Sequence, residues 1–450
     1  MENISMQEAM ALLIEAENMD RTARLKLQTE RLRKLVSYVR EHSDYFRELY
    51  GEIDLEQLNT ASLPPTQKKE LMEHYEQWVT DSEITYSGVM SYLKETKAEQ
   101  LYLSKYSGLT TSGTSGVPMP MLRDSYHNTI HGAMINRRFI SKNISPDIMN
   151  PCNSKIASII YTDPKISSFR SFMKAKKAAG KYADNMQAFS PAMSIKELTR
   201  QVGEFNPDMI TCYPSALCAL ALEQKKGNLH LNLKAIACSA EVLTEEMFAL
   251  FTETFHCPVL NNYCSTEGGE AAMSCSCGHL HMNEDWVIIE PVDKDMQPIK
   301  DESEWSDGIL ITDLSNYVQP IIRYHMNDQI RIHTHCDCKS TFPYMEIRGR
   351  SAGVAEICGN TVMIISLVAE LEKMPLVYAT QVIQTTSDTL EIRAICIREE
   401  DREKAFSMIE QKVKVVLDRE ECRDYHIIWS EQEPYRSNRG GKMQSFVSLI

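Results

Sequence analysis

Two kinds of segment in this chain have residue types and spacings that could do chemistry. The first is TTSGTSGVPMP, residues 110–120. Gly113 and Gly116 free the backbone for tight or left-handed turns, while Ser112, Thr114 and Ser115 add hydroxyl groups. Successive backbone N–H groups beside hydroxyls suit the wrapping of phosphate oxygens. The run is not a Walker loop, which ends in Gly-Lys-Ser/Thr, and taken alone it reads equally as a polar surface loop. The second is a pair of thiol knuckles, Cys275-Ser276-Cys277 and Cys336-Asp337-Cys338, the first followed by Gly278, His279, Leu280 and His281. Two separated knuckles of Cys and His suit a tetrahedral Zn²⁺; unliganded thiols are the alternative.

Such groups need a scaffold to hold them. The stretch RTARLKLQTERLRKLVSYVREHSDYF places Leu25, Leu27, Leu32, Leu35, Val36 and Val39 at a helical period, with its Arg and Lys on the solvated face. Residues 80–130 read as a loop rich in Gly, Ser and Thr. From 150 to 300, short apolar runs alternate with helical ones: KIASIIYT, DMITCYP, SALCALALEQ, KAIACS, TEEMFALFTETF and PVLNNY. That alternation predicts α/β layers on a largely parallel sheet. Residues 305–348 read as β-rich. Beyond 350, a helix near 366–373, strands near 377–384 and 389–397, a helix near 400–417 and a strand near 426–430 predict a small α+β domain. The expected division is 1–348 and 349–450. No internal repeat is present.

The 450 residues allow two or three domains. Lys plus Arg number 48 against 62 Asp plus Glu, a formal net charge of −14. Such an acidic chain is a poor partner for nucleic acid or a membrane surface. No apolar run reaches the roughly 18 residues of a membrane span. The start, MENISMQEAMALLIEAENMD, lacks the basic residues of an export signal. The 13 cysteines then read as thiols or metal ligands in a cytoplasmic protein rather than a disulfide framework. Cys212, Cys218 and Cys238 fall in apolar runs and are expected in the core.

The glycine loop has company in a fixed order. NNYCSTEGGE spans 261–270, GILITDL starts at Gly308, IIRYHMND ends at Asp328, IRGR ends at Arg350, and RGGKMQSF contains Lys442. In that order these segments resemble the adenylate-forming superfamily, most nearly its phenylacetate–CoA ligase and capsule-biosynthesis branch. The loop is similar to that branch's SSGTTGxP, Tyr263-Cys264-Ser265-Thr266-Glu267 to its Tyr-Gly-x-Thr/Ser-Glu, and Arg323 through Asp328 to its RYRTGD. The resemblance runs from about residue 25 to the end. It implies a large N-terminal α/β domain with a β-rich subdomain and a small mobile α+β C-terminal domain.

The resemblance also implies roles. Thr111, Ser112, Gly113, Thr114, Ser115 and Gly116 would hold the β- and γ-phosphates of ATP. Thr266 would contact the α-phosphate, and Glu267 would ligate Mg²⁺. Tyr263 would stack on adenine, the segment Ser239-Ala240-Glu241 would line the adenine site, and Asp328 would accept the ribose hydroxyls. Lys442 would reach the α-phosphate and the carboxylate during adenylation. A similar Cys/His pattern in the branch points to Cys275, His281, Cys336 and Cys338 as structural zinc ligands, with Cys277 and His279 as substitutes.

The implied activity is ATP-dependent activation of a carboxylic acid, aryl or arylacetic, to an acyl-AMP with release of pyrophosphate, followed by transfer to coenzyme A. Transfer to an amine or a carrier-protein thiol in a natural-product or capsule pathway is the alternative, and nucleotide binding without turnover a third reading. A homodimer is compatible with all three. Cys212-Tyr213-Pro214-Ser215 resembles a segment near the acyl pocket. The basic stretch 165–181 reads as a solvated face or as a contact for coenzyme A phosphates. Three departures stand out. Gly349-Arg350-Ser351-Ala352 lacks the carboxylate of the usual Gly-Arg-x-Asp hinge, Met119 replaces a lysine, and Cys264 replaces a glycine beside the nucleotide. Cys264 is therefore expected to be open to alkylation and protected by ATP.

Overall fold

The computed structural model describes residues 3–95, 100–110, 119–162, 166–299, 301, 304–348, 354–371, 374, 376–432, 434 and 445–450. The glycine loop 111–118, the hinge 349–353 and Lys442 lie outside the described residues, and so does the expected domain boundary.

Helix α1 (Met6–Asn18) opens with a Ser5–Glu8 capping box, and α2 (Arg21–His42) is capped by Asp20. Leu32, Leu35, Val36 and Val39 of α2 are buried, as their period requires, whereas Leu25 is 38% exposed. Arg24 and Arg31 contradict the expected solvated face, since both are buried. Arg24 Nε donates to Glu284 at 2.7 Å, and its guanidinium lies 3.9 Å from the Phe342 ring centroid. Arg31 donates to the Asp285 carbonyl and stacks on Trp286. A charged residue on an apolar face is tolerated only when it is paired. Its partners come from more than 250 residues away, so helical periodicity could not show them.

Residues 80–130 are more ordered than a loop. Strands β1 (Ser107–Thr110) and β2 (Pro120–Arg123) form an antiparallel hairpin around the glycine loop. Helix α3 (Ser125–Met134), capped by Asp124, follows directly. Next come β3 (Ile156–Ile159), α4 (Ser167–Ala178), β4 (Met186–Phe189), α5 (Ile195–Phe205), β5 (Met209–Cys212), α6 (Pro214–Lys225), β6 (Ala235–Ser239), α7 (Glu245–Phe255) and β7 (Val259–Ser265). The remaining strands up to residue 348 are β8 (Gly269–Ser274), β9 (Leu280–Met282), β10 (Val287–Val292), β11 (Gly308–Asp313), β12 (Tyr324–Met326), β13 (Ile330–His333) and β14 (Tyr344–Ile347).

Among the described residues, one sheet orders as β13-β14-β9-β8-β7-β6-β5-β3-β4. The pairings from β4 to β7 are parallel, as the strand–helix alternation predicts. Those from β7 through β8, β9 and β14 to β13 are antiparallel. The largely parallel expectation therefore holds for only half of this sheet. The connections beyond β7 are too short for crossover helices, and short links force antiparallel neighbours. A second sheet, β10-β11-β12, is antiparallel. Cys212, Cys218 and Cys238 are buried in the core of the parallel half, as expected.

The C-terminal part matches its expected elements. A hairpin of β15 (Val354–Ile357) and β16 (Asn360–Met363) precedes α8 (Ile364–Leu371). Then follow β17 (Val377–Gln384), β18 (Thr389–Cys396), α9 (Arg402–Arg419), β19 (His426–Trp429) and β20 (Phe446–Ser448). Its sheet orders β19-β18-β17-β20 and has a hydrophobic core of its own. It touches the larger part where the Glu420 carboxylate accepts from the Ile195 amide at 2.9 Å, at the start of α5. Among the described residues no helix is long and apolar enough to cross a membrane.

Candidate active site and metal centre

The ends of β6 and β7 and the link from β12 to β13 bring several expected residues together. Tyr263 stands near the end of β7, at a register shift against β8. Its hydroxyl donates to Asp328 Oδ2 at 3.1 Å, across 65 residues of sequence. Burial, reinforced by the Asp328 carboxylate, holds the Tyr263 hydroxyl well above its ordinary pKa. Thr266 and Glu267 occupy the turn between β7 and β8, where the Gly268 amide donates to Ser265 Oγ at 2.8 Å. Tyr263, Thr266, Glu267 and Asp328 are all half-buried, as groups facing a cleft should be.

Glu267 sits in a divided field. Burial raises its pKa, Asp328 adds to that, and Lys68 and Arg123 oppose it. A carboxylate so placed gains from a divalent cation, which suits hard oxygen ligands. Burial lowers the pKa of Lys68, which feels Glu267 in return. Arg123, at the end of β2, donates to the Thr266 carbonyl at 2.9 Å and so fixes the turn. Neither Lys68 nor Arg123 was singled out in the sequence, because each reaches the turn only through the fold.

Ser239 ends β6, and Ala240 and Glu241 follow it, with Ala240 in the left-handed region at φ 68°. Such a conformation in a non-glycine residue stores strain. Glu241 is held from the start of α6. Both its oxygens are taken by Ser215, at 3.0 Å from the amide and 3.0 Å from the hydroxyl. Its carboxylate thus meets the N-terminal end of α6, where the helix dipole favours negative charge. Arg323 is also structural: it is buried, sits at φ 46°, and pairs with Glu290 at 3.0 Å.

Cys264 is half-buried beside the β7–β8 turn. Burial, helped by Glu270, pushes its thiol up to about 12. The thiolate is the reactive form, so slow alkylation at neutral pH is expected of this half-buried sulfur. Met119 is fully buried. The basic stretch divides. Lys174, Lys177 and Lys181 are exposed, whereas Arg170 is buried beside Tyr92, 3.1 Å from its hydroxyl, and Lys176 donates to the Met186 carbonyl. Lys165 lies outside the described residues.

The thiol knuckles converge on the four expected residues. Ligand atoms of Cys275, His281, Cys336 and Cys338 all lie within 4.8 Å of one another. The Cys275 and Cys336 sulfurs are 3.8 Å apart. Two thiolates about 2.3 Å from one zinc at a tetrahedral angle would stand roughly 3.8 Å apart. That distance is far too long for a disulfide. Cys338 Sγ is 3.2 Å from His281 Nε2, and His281 Nδ1 lies 2.6 Å from the Phe342 carbonyl. That second contact fixes the tautomer whose Nε2 lone pair is free for a metal. The Cys277 amide approaches Cys275 Sγ and the Ser340 amide approaches Cys338 Sγ, supporting negative sulfur. Gly278, at φ 84°, makes the tight turn of the first knuckle. Of the substitutes, Cys277 is exposed. His279 stacks on Tyr344 at 4.3 Å, with Nδ1 3.2 Å from Cys336 Sγ.

The fold is shared with acid–CoA ligases of known structure. In solved structures, the chain is similar to a 2-hydroxyisobutyryl-CoA ligase. Against its thioesterification state with 2-HIB-AMP and CoA, the TM-score is 0.61 at 15% identity, covering 96% of this chain and 92% of that one. Against its postadenylation state the TM-score is 0.57 at 16% identity, covering 96% and 91%. In sequence, the chain is 24% identical over 378 residues to a phenylacetate-coenzyme A ligase of Thermus thermophilus, covering 80% of this chain and 78% of that protein. It is 23% identical over 141 residues to protein CapK of Staphylococcus aureus, covering 31% and 30%. No family model matches the chain.

Proposed function

We propose that this protein is an ATP-dependent acid–CoA ligase that works through an acyl-AMP. The observation that carries the reading is the meeting of Tyr263, Asp328 and the Thr266–Glu267 turn at the strand ends beside the hairpin that flanks the glycine loop. In the first half-reaction a substrate carboxylate oxygen attacks the α-phosphorus of ATP. The new P–O bond forms as the bond to pyrophosphate breaks. Residues 111–116 hold the departing phosphates, and Thr266 holds the α-phosphate. Asp328 accepts from the ribose, and Tyr263, its hydroxyl tied to Asp328, presents its ring to the adenine. Glu267 is the carboxylate that would hold Mg²⁺, whose charge offsets the negative charge of the separating phosphates.

In the second half-reaction the thiol of coenzyme A attacks the acyl carbon, a thioester forms and AMP leaves. The similarity to the phenylacetate-coenzyme A ligase supports an aryl or arylacetic acid. We further assign the C-terminal part, from about residue 349, as a mobile domain that brings Lys442 to the first half-reaction. The Cys275–His281–Cys336–Cys338 set is assigned to a structural Zn²⁺. With four protein ligands it keeps no open position for catalysis. The enzyme is assigned to the cytoplasm.

Product analysis with a panel of acids, ATP and Mg²⁺, with and without coenzyme A, tests the acceptor. Acyl-CoA formed in step with AMP is the expected result. AMP release and acyl transfer that proceed equally well without coenzyme A but require an amine or a carrier protein would overturn it.

A further inference from the structure

Behind the Thr266–Glu267 turn lies a buried polar cluster that none of these roles uses. His127 and His131, one turn apart on α3, stack with ring centroids 4.0 Å apart. His131 Nδ1 is 2.8 Å from Glu270 Oε2, and the Glu270 amide lies 3.0 Å from the same nitrogen. On its other side, His131 Nε2 is 3.0 Å from Ser315 Oγ and 3.7 Å from Asp313 Oδ1. Ser315 donates its hydroxyl to Asp313 at 2.6 Å, and His127 Nε2 is 2.9 Å from Asp313 Oδ2. Gly269 is shaped around the ring. It sits at φ 61°, and a Cβ there would meet His131 Cε1 at 2.2 Å.

Two carboxylates buried around one imidazole need a positive charge between them. Burial alone would lower the pKa of His131, but Asp313 and Glu270 outweigh it and push the group up to about 9. Burial, with His131 next to it, pushes His127 down to about 3, so His127 is neutral. Two further charges face the cluster: Arg123 on β2, felt at His127 and at Glu270, and Asp124 at the start of α3, which interacts with Asp313. The geometry has a consequence for the turn. A doubly protonated His131 donates Nδ1–H to the Glu270 carboxylate. A neutral His131 has a single N–H: on Nδ1 it keeps the Glu270 bond but leaves Nε2 facing Ser315 and Asp313 without a proton, and on Nε2 it leaves Nδ1 accepting from the Glu270 amide with its lone pair facing the carboxylate at 2.8 Å.

We propose that His131 is a positioning residue: as an imidazolium it grips Glu270 and so holds the turn that presents Thr266 and Glu267. The proposal rests on the assignment of Glu267 to Mg²⁺. The folded-state pKa of His131 is raised, so the grip is present at neutral pH and is lost as pH rises through about 9.

The test reads Mg²⁺-dependent ATP binding by calorimetry from pH 7 to 10 in wild-type protein, His131→Gln and Glu270→Gln. Histidine NMR on ¹⁵N-labelled protein accompanies it. In the wild type one imidazole should stay doubly protonated to about pH 9. Over the same range the Mg²⁺ enhancement of ATP affinity should fall about tenfold. His131→Gln should lack that imidazole signal and show the weakened, pH-independent enhancement already at pH 7. Glu270→Gln, which keeps the side-chain volume and the amide, should show the same enhancement defect. Wild-type Mg²⁺ dependence in both variants would overturn the proposal, as would a His131 that titrates near its ordinary 6.5. A second tightly bound metal ion that disappears in His127→Gln would also overturn it, because His131 would then be a ligand. Because no acid is present, failure of the ligase reading through an absent substrate leaves this measurement intact.

Discussion

Lys442→Ala is expected to abolish adenylation while leaving ATP binding within about threefold of wild type. A lysine is a compact charge on a flexible stem, and the Gly440-Gly441 pair before it lets the chain approach the reacting phosphate. In the assigned role it contacts the α-phosphate and the carboxylate only as they meet. Such an interaction is made in the transition state and contributes little to ground-state affinity. Removing one positioned charge of this kind costs about 10²–10³ in rate. Pyrophosphate exchange gives the rate, and calorimetry gives the affinity. Transfer from a preformed acyl-AMP to coenzyme A should survive in the same variant. Full exchange activity in Lys442→Ala would remove the assignment.

Replacing a ligand of the thiol cluster should have the largest effect on stability. Cys336 is buried between Cys275 and His279, and a Zn²⁺ held by the assigned four residues would tie the β8–β9 turn to the β13–β14 connection. Structural zinc sites contribute about 10–16 kcal/mol of apparent binding free energy in small domains. Here the surrounding sheet is held by a hydrophobic core as well, so a loss of several kcal/mol is the expected share. Cys336→Ser and chelated wild-type protein should therefore melt well below the metal-replete enzyme, and readdition of Zn²⁺ should restore only the wild type. Metal analysis of purified protein should give about one zinc per chain. Much less than one equivalent, with no change of melting temperature on chelation, would refute the cluster.

How much of this was legible in the sequence follows from how local each signal is. The strands and helices from Ile156 to Ser265 announce themselves by period, and the converging set Cys275, His281, Cys336 and Cys338 could be named because the resemblance chose among the residues of two short knuckles. The β7–β8 turn was recognisable as a contiguous motif. What escaped were groups whose meaning lies in partners far along the chain. Arg24 and Arg31 look like a solvated face until Glu284, Asp285 and Phe342 arrive. His127 and His131 are unremarkable on a helix until Glu270 and Asp313 close around them. The bonds from Ser215 to both oxygens of Glu241 join residues 26 apart and had no local sign. The reactivity of Cys264 depends on burial, which no motif reports.

The central claim is that this chain joins a carboxylate to AMP. It is tested most directly by carboxylate-dependent exchange of labelled pyrophosphate into ATP, with a broad panel of aryl, arylacetic and aliphatic acids and without coenzyme A. Exchange that requires an acid and Mg²⁺, strongest with an aryl or arylacetic member of the panel, is the predicted result. ATP binding with no exchange for any acid would contradict the account and leave a nucleotide-binding protein in its place.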